Sequence, residues 1–258
     1  MMTQAELRKA FRDHAPPMLT LLAAVAIWEI LARLYHVPVW LLPSPVQIGE
    51  ATVEWARLLP AHTLATTFIT VTGFGAATVA GVAIALLVTI SPFAMRTIYP
   101  LLLGFQSLPK IAIAPLLLMW VGYGAWSKII IVFLVCFFPI VVSTVTGLTA
   151  PPAELIDLAR SFATPQWRAY LKIRIPYSIP YMFIGLKVAI VLAVTGAVVG
   201  EFVASKEGLG FLILNGVQQF NTPVAFSAMI ILSILTVVLY GLVAAVEARM
   251  VRWKPTRA

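Results

Sequence analysis

Charge is what this chain has least of. Asp, Glu, Lys and Arg make up 11% of its 258 residues, against about 25% in an ordinary soluble domain. That is too little polar surface to cover a globule of this size in water. Cysteine occurs once, at Cys136 inside an apolar run, so an intrachain disulfide is excluded and the residue reads as a small core side chain. The three histidines, His14, His36 and His62, are scattered through the N-terminal quarter. No H-E-x-x-H, no cysteine pair, no G-x-S-x-G elbow and no G-x-x-x-x-G-K-[ST] phosphate cradle occurs. These absences argue against a metal site, a hydrolase nucleophile and a nucleotide-hydrolysing centre on this chain.

What is present is hydrophobic length. Of the fourteen residues Ile129–Val142, IIIVFLVCFFPIVV, all but Cys136 and Pro139 are Ile, Leu, Val or Phe. At a bilayer centre that run contributes roughly −4 to −7 kcal/mol towards insertion. A window of about twenty residues predicts six spans: Met18–Tyr35, Ala65–Ile90, a proline-broken Ile98–Val121, Ser127–Leu148, Ile179–Val203 and Val224–Val246. Lys and Arg cluster at one side of these spans. They are Arg8, Lys9 and Arg12 at the start, Arg96 after the second span, Arg160, Arg168, Lys172 and Arg174 after the fourth, and Arg249, Arg252, Lys254 and Arg257 at the end. The positive-inside rule makes that side, with both termini, cytoplasmic. The net charge of +8 is thus a topology signal, and nucleic acid is not expected as a partner. Aromatic residues mark the boundaries: Trp40, Trp120, Tyr123 and Trp126 outside, Tyr99, Tyr177 and Trp253 inside.

The first span has a small-x-small site at Ala24-Val25-Ala26, but its apolar run continues through Ile27 and resumes after Trp28-Glu29. This favours an uncleaved anchor over a signal peptide. Pro45–Leu59 reads as an interfacial helix with Val46, Val53, Ala56 and Leu59 on one face. Gly73, Ala77 and Gly81, and the pair Gly196 and Gly200, recur every four residues, the spacing that lets helix backbones approach in lipid. The reading is a single bundle: residues 1–60 carry a tail, the first span and the interfacial helix, 61–250 a transmembrane domain, and 251–258 a tail.

Between the fourth and fifth spans the apolar pattern stops. Asp157–Pro176, DLARSFATPQWRAYLKIRIP, holds one acid, four bases and two prolines. Pro151 and Pro152 introduce a short helix over Glu154–Phe162, and Ala163-Thr164-Pro165 breaks it. Thr164 then suits an N-cap and Pro165 a first helical position, while Pro176 and Pro180 would close a second short helix. Leu155, Leu158, Ala159 and Phe162 share one face of the first helix. That face either folds back on the protein's own span ends or docks a cytoplasmic partner.

This segment resembles the EAA loop of permeases of binding-protein-dependent ABC importers, Glu-Ala-Ala, three residues, Gly, nine residues, Ile-x-Leu-Pro. Here Asp157-Leu158-Ala159 stand at the first three positions, Ala163 at the glycine, and Ile173-Arg174-Ile175-Pro176 at the end. The spacing matches in full. Ala163 tolerates a left-handed turn poorly, which suggests a bend spread over Thr164-Pro165. The stretches QSLPKIAIAPLLLMWVGYGAWSKIII and GEFVASKEGLGFLI are similar to the branch handling alkanesulfonates, taurine, nitrate and thiamine-precursor pyrimidines. The resemblance implies an all-α membrane protein, six transmembrane helices in a type I ABC importer permease-like bundle with a coupling-helix pair within the loop 151–176. It further implies no cofactor on this chain, ATP used by a cytoplasmic ATP-binding subunit, an extracytoplasmic solute-binding protein, a second permease copy, and a bacterial inner-membrane location. The coupling residues it implies are Asp157, Leu158, Ala159, Phe162, Ala163, Ile173 and Pro176.

Candidate passage residues follow from the third span, where Pro100, Pro109 and Pro115 surround Gln106, Ser107 and Lys110. Broken backbone at membrane depth needs protein or a water cavity to receive it. Lys110 either packs against backbone carbonyls or stands as a cation in the passage, where it would suit an anion. Lys187, nearer the cytoplasmic end, reads as a snorkelling lysine. Glu201 near the outer end of the fifth span is a further passage candidate, and Gly208 and Gly210 mark the outer loop that follows, where the family's binding protein approaches. The rival function is an ion-driven secondary transporter, which would show a relay of mid-span acids. Glu29 and Glu201 are the acids available within spans, and neither has an evident acidic partner. A non-transporting scaffold would not need the broken third span.

Overall fold

The computed structural model describes the backbone of residues 4–251 and, outside positions 4–15, 17, 18 and 204, their side chains. Trp253, Arg252, Lys254 and Arg257 lie outside the described residues, as do the side chains of Arg8, Lys9, Arg12, His14 and Met18. Among the described residues every regular element is helical. In order these are α1 (Gln4–Leu34), α2 (Pro45–Glu54), α3 (Leu59–Ile90), α4 (Pro92–Gln106), α5 (Ala114–Val121), α6 (Ala125–Thr149), α7 (Ala153–Ser161), α8 (Gln166–Ala169), α9 (Ile175–Ala204), α10 (Leu209–Gln218) and α11 (Thr222–Met250).

Four of the described stretches are long and apolar enough to cross a membrane: α3, α6, Gln166–Val203 and α11. A fifth arises if the pair α4 and Lys110–Val121, bent by 78°, counts as one span. The count of six is not reproduced in this form. The first expected span lies in α1, and its first residue, Met18, is outside the described side chains.

The chain forms two compact units, Met1–Pro60 with Leu212–Ile230, and Ala61–Phe211 with Ile231–Ala258. In the first, Ser44 caps α2 through a reciprocal box with Gln47. The buried face of α2 is Ile48 and Ala51, while Val46 and Val53 are exposed. The Thr52 hydroxyl donates to Ser227 Oγ at 2.9 Å, and this polar contact turns the Ile48–Thr52 side of the helix inward.

In the second unit α6 is central. Its Ile129, Val132, Cys136 and Ile140 are buried in one cluster with Ile69 and Ala77 of α3 and Phe183, Ala189 and Ala193 of α9. Cys136 is fully buried and its thiol donates to Ala189 O at 3.2 Å. Close approach depends on small residues. A Cβ on Gly73 would stand 2.6 Å from Val132, and one on Gly185 would stand 2.5 Å from Ser143 Cβ. The Lys187 ammonium pairs with Glu247 at 2.8 Å.

Candidate functional site

Three places in the second unit gather the residues singled out by the sequence. The first is the break after α6. Helix α7 ends at Ser161, and Ala163 itself adopts the left-handed conformation at φ +51°. Ala163 N–H donates to Arg160 O at 2.8 Å and Thr164 N–H to Ala159 O at 3.0 Å. That pair of bonds is a Schellman cap, whose left-handed residue is usually glycine. The bend is therefore concentrated at Ala163, not spread over Thr164-Pro165. Two captured carbonyls offset a conformational cost of about 1–2 kcal/mol. The glycine of the EAA pattern falls on this left-handed residue.

Thr164 does not cap the next helix. Pro165 holds that position, and α8 starts at Gln166. Nor do Pro176 and Pro180 end it. Residues Tyr170–Arg174 form a π-helical turn that leads directly into α9. A proline ring collides with the carbonyl four residues back, and a widened turn just before Pro176 moves that carbonyl aside. The expected second short helix is thus the leading end of a 38-residue helical stretch, Gln166–Val203.

The predicted face of α7 divides: Leu155 and Ala159 are half-buried, Leu158 and Phe162 exposed. Ile156 and Ala159 line a cavity of about 330 Å³ with Thr89, Met95 and Tyr170, and the Tyr170 hydroxyl donates to Leu86 O at 3.2 Å. Leu158 and Phe162 point away, 54% and 76% exposed, and Trp167 and Leu171 are exposed as well. Asp157 is exposed and pairs with Arg160 at 3.1 Å. Ile173 and Pro176 are half-buried.

The second place is the bent third span. Gln106 ends α4, and a 3-10 turn Lys110–Ile113 precedes α5. Gln106 and Ser107 are exposed. The Lys110 ammonium donates to Gln106 O at 2.7 Å and lies 4.8 Å from the centre of the Phe138 ring. Carbonyl and ring face together hold the cation in place. The cavity here, about 370 Å³, is walled mainly by Leu108, Pro109, Ile111, Val135, Pro139 and Leu192.

The third place is the turn between α9 and α10. Glu201 is 1% exposed. It accepts from the Thr66 hydroxyl at 2.7 Å and from Gly210 N–H at 2.6 Å. Gly208, at φ +108°, leaves no room for a side chain: a Cβ there would sit 2.3 Å from Glu201 Cδ, and one on Gly210 would sit 2.8 Å from Oε2. Glu201, expected to line a passage, is instead enclosed beneath these two glycines. Lys128, 4% exposed, donates to Ser205 Oγ at 2.9 Å. It lies at the base of a cleft of about 660 Å³ with Tyr123, Lys206 and Glu207. The sequence does not single out Lys128 or Thr66, and His62 reads there only as one of three scattered histidines. The one available signal was a lysine directly after the boundary residue Trp126 and Ser127, at the head of an otherwise uncharged span.

Residues 77–252 match the family of binding-protein-dependent transport system inner membrane components. The chain belongs to this family. The permease is 34% identical over 92% of its length to the formylaminopyrimidine transport permease protein ThiX of Halalkalibacterium halodurans, covering 95% of that protein. It is 34% identical to the riboflavin transport system permease protein RibX of Chloroflexus aurantiacus, over 91% of this chain and 88% of the relative. Against the putative aliphatic sulfonates transport permease protein SsuC of Bacillus subtilis it is 26% identical over 89% of its length and 84% of that protein's. The fold matches that of the methionine ABC transporter MetNI in an inward-facing conformation, with a TM-score of 0.67, 18% identity, and coverage of 76% of the permease and 98% of that chain. The resemblance to ABC importer permeases is therefore borne out, and the permease is a multi-pass membrane protein.

Proposed function

We propose that the permease forms the translocation path of an ATP-driven importer for a small, uncharged, nitrogen-containing heteroaromatic solute. Two relatives at 34% identity are named for formylaminopyrimidine and riboflavin transport, while the sulfonate relative stands at 26%. The observation that carries the choice of solute class is Lys110. Its charge is taken up by Gln106 O and the Phe138 ring, and the adjoining cavity is mostly apolar. An anion entering there would meet an ammonium already engaged by a carbonyl and a ring, within an otherwise apolar wall. A flat neutral ring needs only the apolar wall and the exposed amide of Gln106. In this reading Gln106, Ser107 and Lys110 border the passage, and Lys110 braces the break in the third span.

A cytoplasmic ATPase binds and cleaves the nucleotide, an extracytoplasmic binding protein delivers the solute, and a second copy of the permease completes the path. Both termini face the cytoplasm, a reading that the distribution of Lys and Arg supports. The exposed Leu158 and Phe162 on a capped, bent helix supply a docking knob for the ATPase, with Asp157, Ala159, Ala163, Ile173 and Pro176 shaping it. The acids within spans favour this reading over an ion-driven relay, because Glu29 pairs with Arg33 and Glu201 is held by Thr66 and Gly210.

The test is competition. Uptake of a labelled formylaminopyrimidine by proteoliposomes holding the permease, its ATPase and its binding protein should be blocked by unlabelled pyrimidine and not by taurine or an alkanesulfonate. Inhibition by the sulfonate alone would reverse the choice of solute.

A further inference from the structure

The first N–H groups of a helix have no partner within it and are usually met by a side chain at the N-cap. At the start of α10 the cap position is Gly208, which has none to offer. The donors are met from elsewhere. Gly208 N–H donates to His62 Nδ1 at 3.0 Å, Leu209 N–H to Thr66 Oγ1 at 2.8 Å, and Gly210 N–H to Glu201 Oε2 at 2.6 Å. His62 also stacks on Phe211, with ring centres 6.1 Å apart. Lys128 holds the other end of the turn through Ser205, whose hydroxyl also accepts from Glu207 N–H.

Helices α3, α6 and α9 thus each contribute side chains to six residues of chain, and Glu201 joins two of the helices through Thr66. A carboxylate at a helix N-terminus, accepting two bonds in a buried site, is well placed electrostatically. Its space exists only because positions 208 and 210 are glycine. Between the pinned ends the turn exposes one base and one acid, Lys206 and Glu207.

We infer that Glu201 is the positioning residue of a landing turn. It touches neither solute nor partner, and it fixes Ser205–Gly210 so that Lys206 and Glu207 meet an acid and a base on the solute-loaded binding protein in constant geometry. This rests on the importer reading above, which places the turn outside. Because the two contacts are charge pairs, they govern how readily the binding protein engages, not how fast the engaged complex turns over. Glu201→Gln can keep both contacts, its oxygen accepting from Gly210 N–H and its amide donating to a Thr66 hydroxyl turned towards His62 O; Glu201→Leu keeps much of the volume but accepts from neither donor, so both bonds are lost.

The experiment titrates solute-loaded binding protein against the permease–ATPase complex in nanodiscs and follows ATP hydrolysis. Glu201→Leu is expected to raise the half-stimulating concentration about tenfold or more, with the unstimulated and maximal rates unchanged. Thr66→Val should do the same, and Thr66→Ser, which keeps the hydroxyl, should match the parent. If Glu201→Leu fails to assemble, the two Thr66 variants decide by the same criteria. A parent-like half-point, or a lower maximal rate at an unchanged half-point, overturns the inference alone. A parent complex that no solute-loaded binding protein stimulates overturns the importer reading and the inference with it.

Discussion

Phe162→Ala should detach the ATPase from an otherwise intact permease. The ring is 76% exposed at the end of α7. An aromatic side chain buries about 150–250 Å² when fully covered, so three-quarters of it leaves about 115–190 Å² to be covered by a partner. At about 25 cal/mol per Å² the lower figure corresponds to about 3 kcal/mol, or roughly a hundredfold in Kd. That is a loss large enough to see in a direct titration of purified ATPase against permease in nanodiscs. Ile156→Ala supplies the contrast, because Ile156 lines the cavity behind the helix with Thr89 and Tyr170. It should lower the thermal stability of the permease and leave the ATPase affinity unchanged. The reasoning is refuted if Phe162→Ala binds with parent affinity while Ile156→Ala does not, since the docking face would then be the one assigned to the interior.

Other consequences can be measured separately. Ala163→Gly should stabilise the permease by about 0.5–1 kcal/mol, seen as a higher Tm in detergent, because it relieves the left-handed alanine at some entropic cost; an unchanged or lower Tm would contradict the assigned cap. Gly185→Ala should cost about 1–3 kcal/mol through its 2.5 Å approach to Ser143, whereas Gly75→Ala, with nothing within 4 Å, should not. Equal Tm values for the two would contradict the packing of α6 on α9. Asp157→Asn removes an exposed ion pair worth about 0–1 kcal/mol, and should leave ATPase binding nearly intact; a loss comparable to Phe162→Ala would shift the docking site to the carboxylate. In a Cys136→Ala background, Tyr123→Cys should react with an impermeant thiol reagent in intact cells and Gln166→Cys should not; the reverse pattern would invert the topology.

Local features were legible in the sequence and distant pairings were not. The prolines around Gln106 and Lys110 announced a broken span, and the observed bend of 78° falls among them. The punctuation around Ala163 announced a break after a short helix, and α7 ends there. The place of the left-handed residue was misjudged because alanine's intrinsic dislike of that conformation was weighed without the two carbonyls that a Schellman cap captures. Pro176 was read as a stop because the pattern of residues does not reveal a π turn that makes room for its ring. Glu201 read as a passage acid because its partner Thr66 lies 135 residues away, and nothing in a linear pattern joins the two. Its neighbours Gly208 and Gly210 were noticed as a turn, but the reason for glycine there is the carboxylate packed against them.

The central claim is that solute moves through the permease at the expense of ATP cleaved by a separate subunit. Proteoliposomes containing the permease, its ATPase and the solute-loaded binding protein, with no ion gradient across the membrane, test it directly. Uptake is expected to require ATP on the side of the Asp157–Pro176 loop and to stop when the ATPase is omitted. Uptake by the permease alone, driven by an imposed proton or sodium gradient, would contradict it.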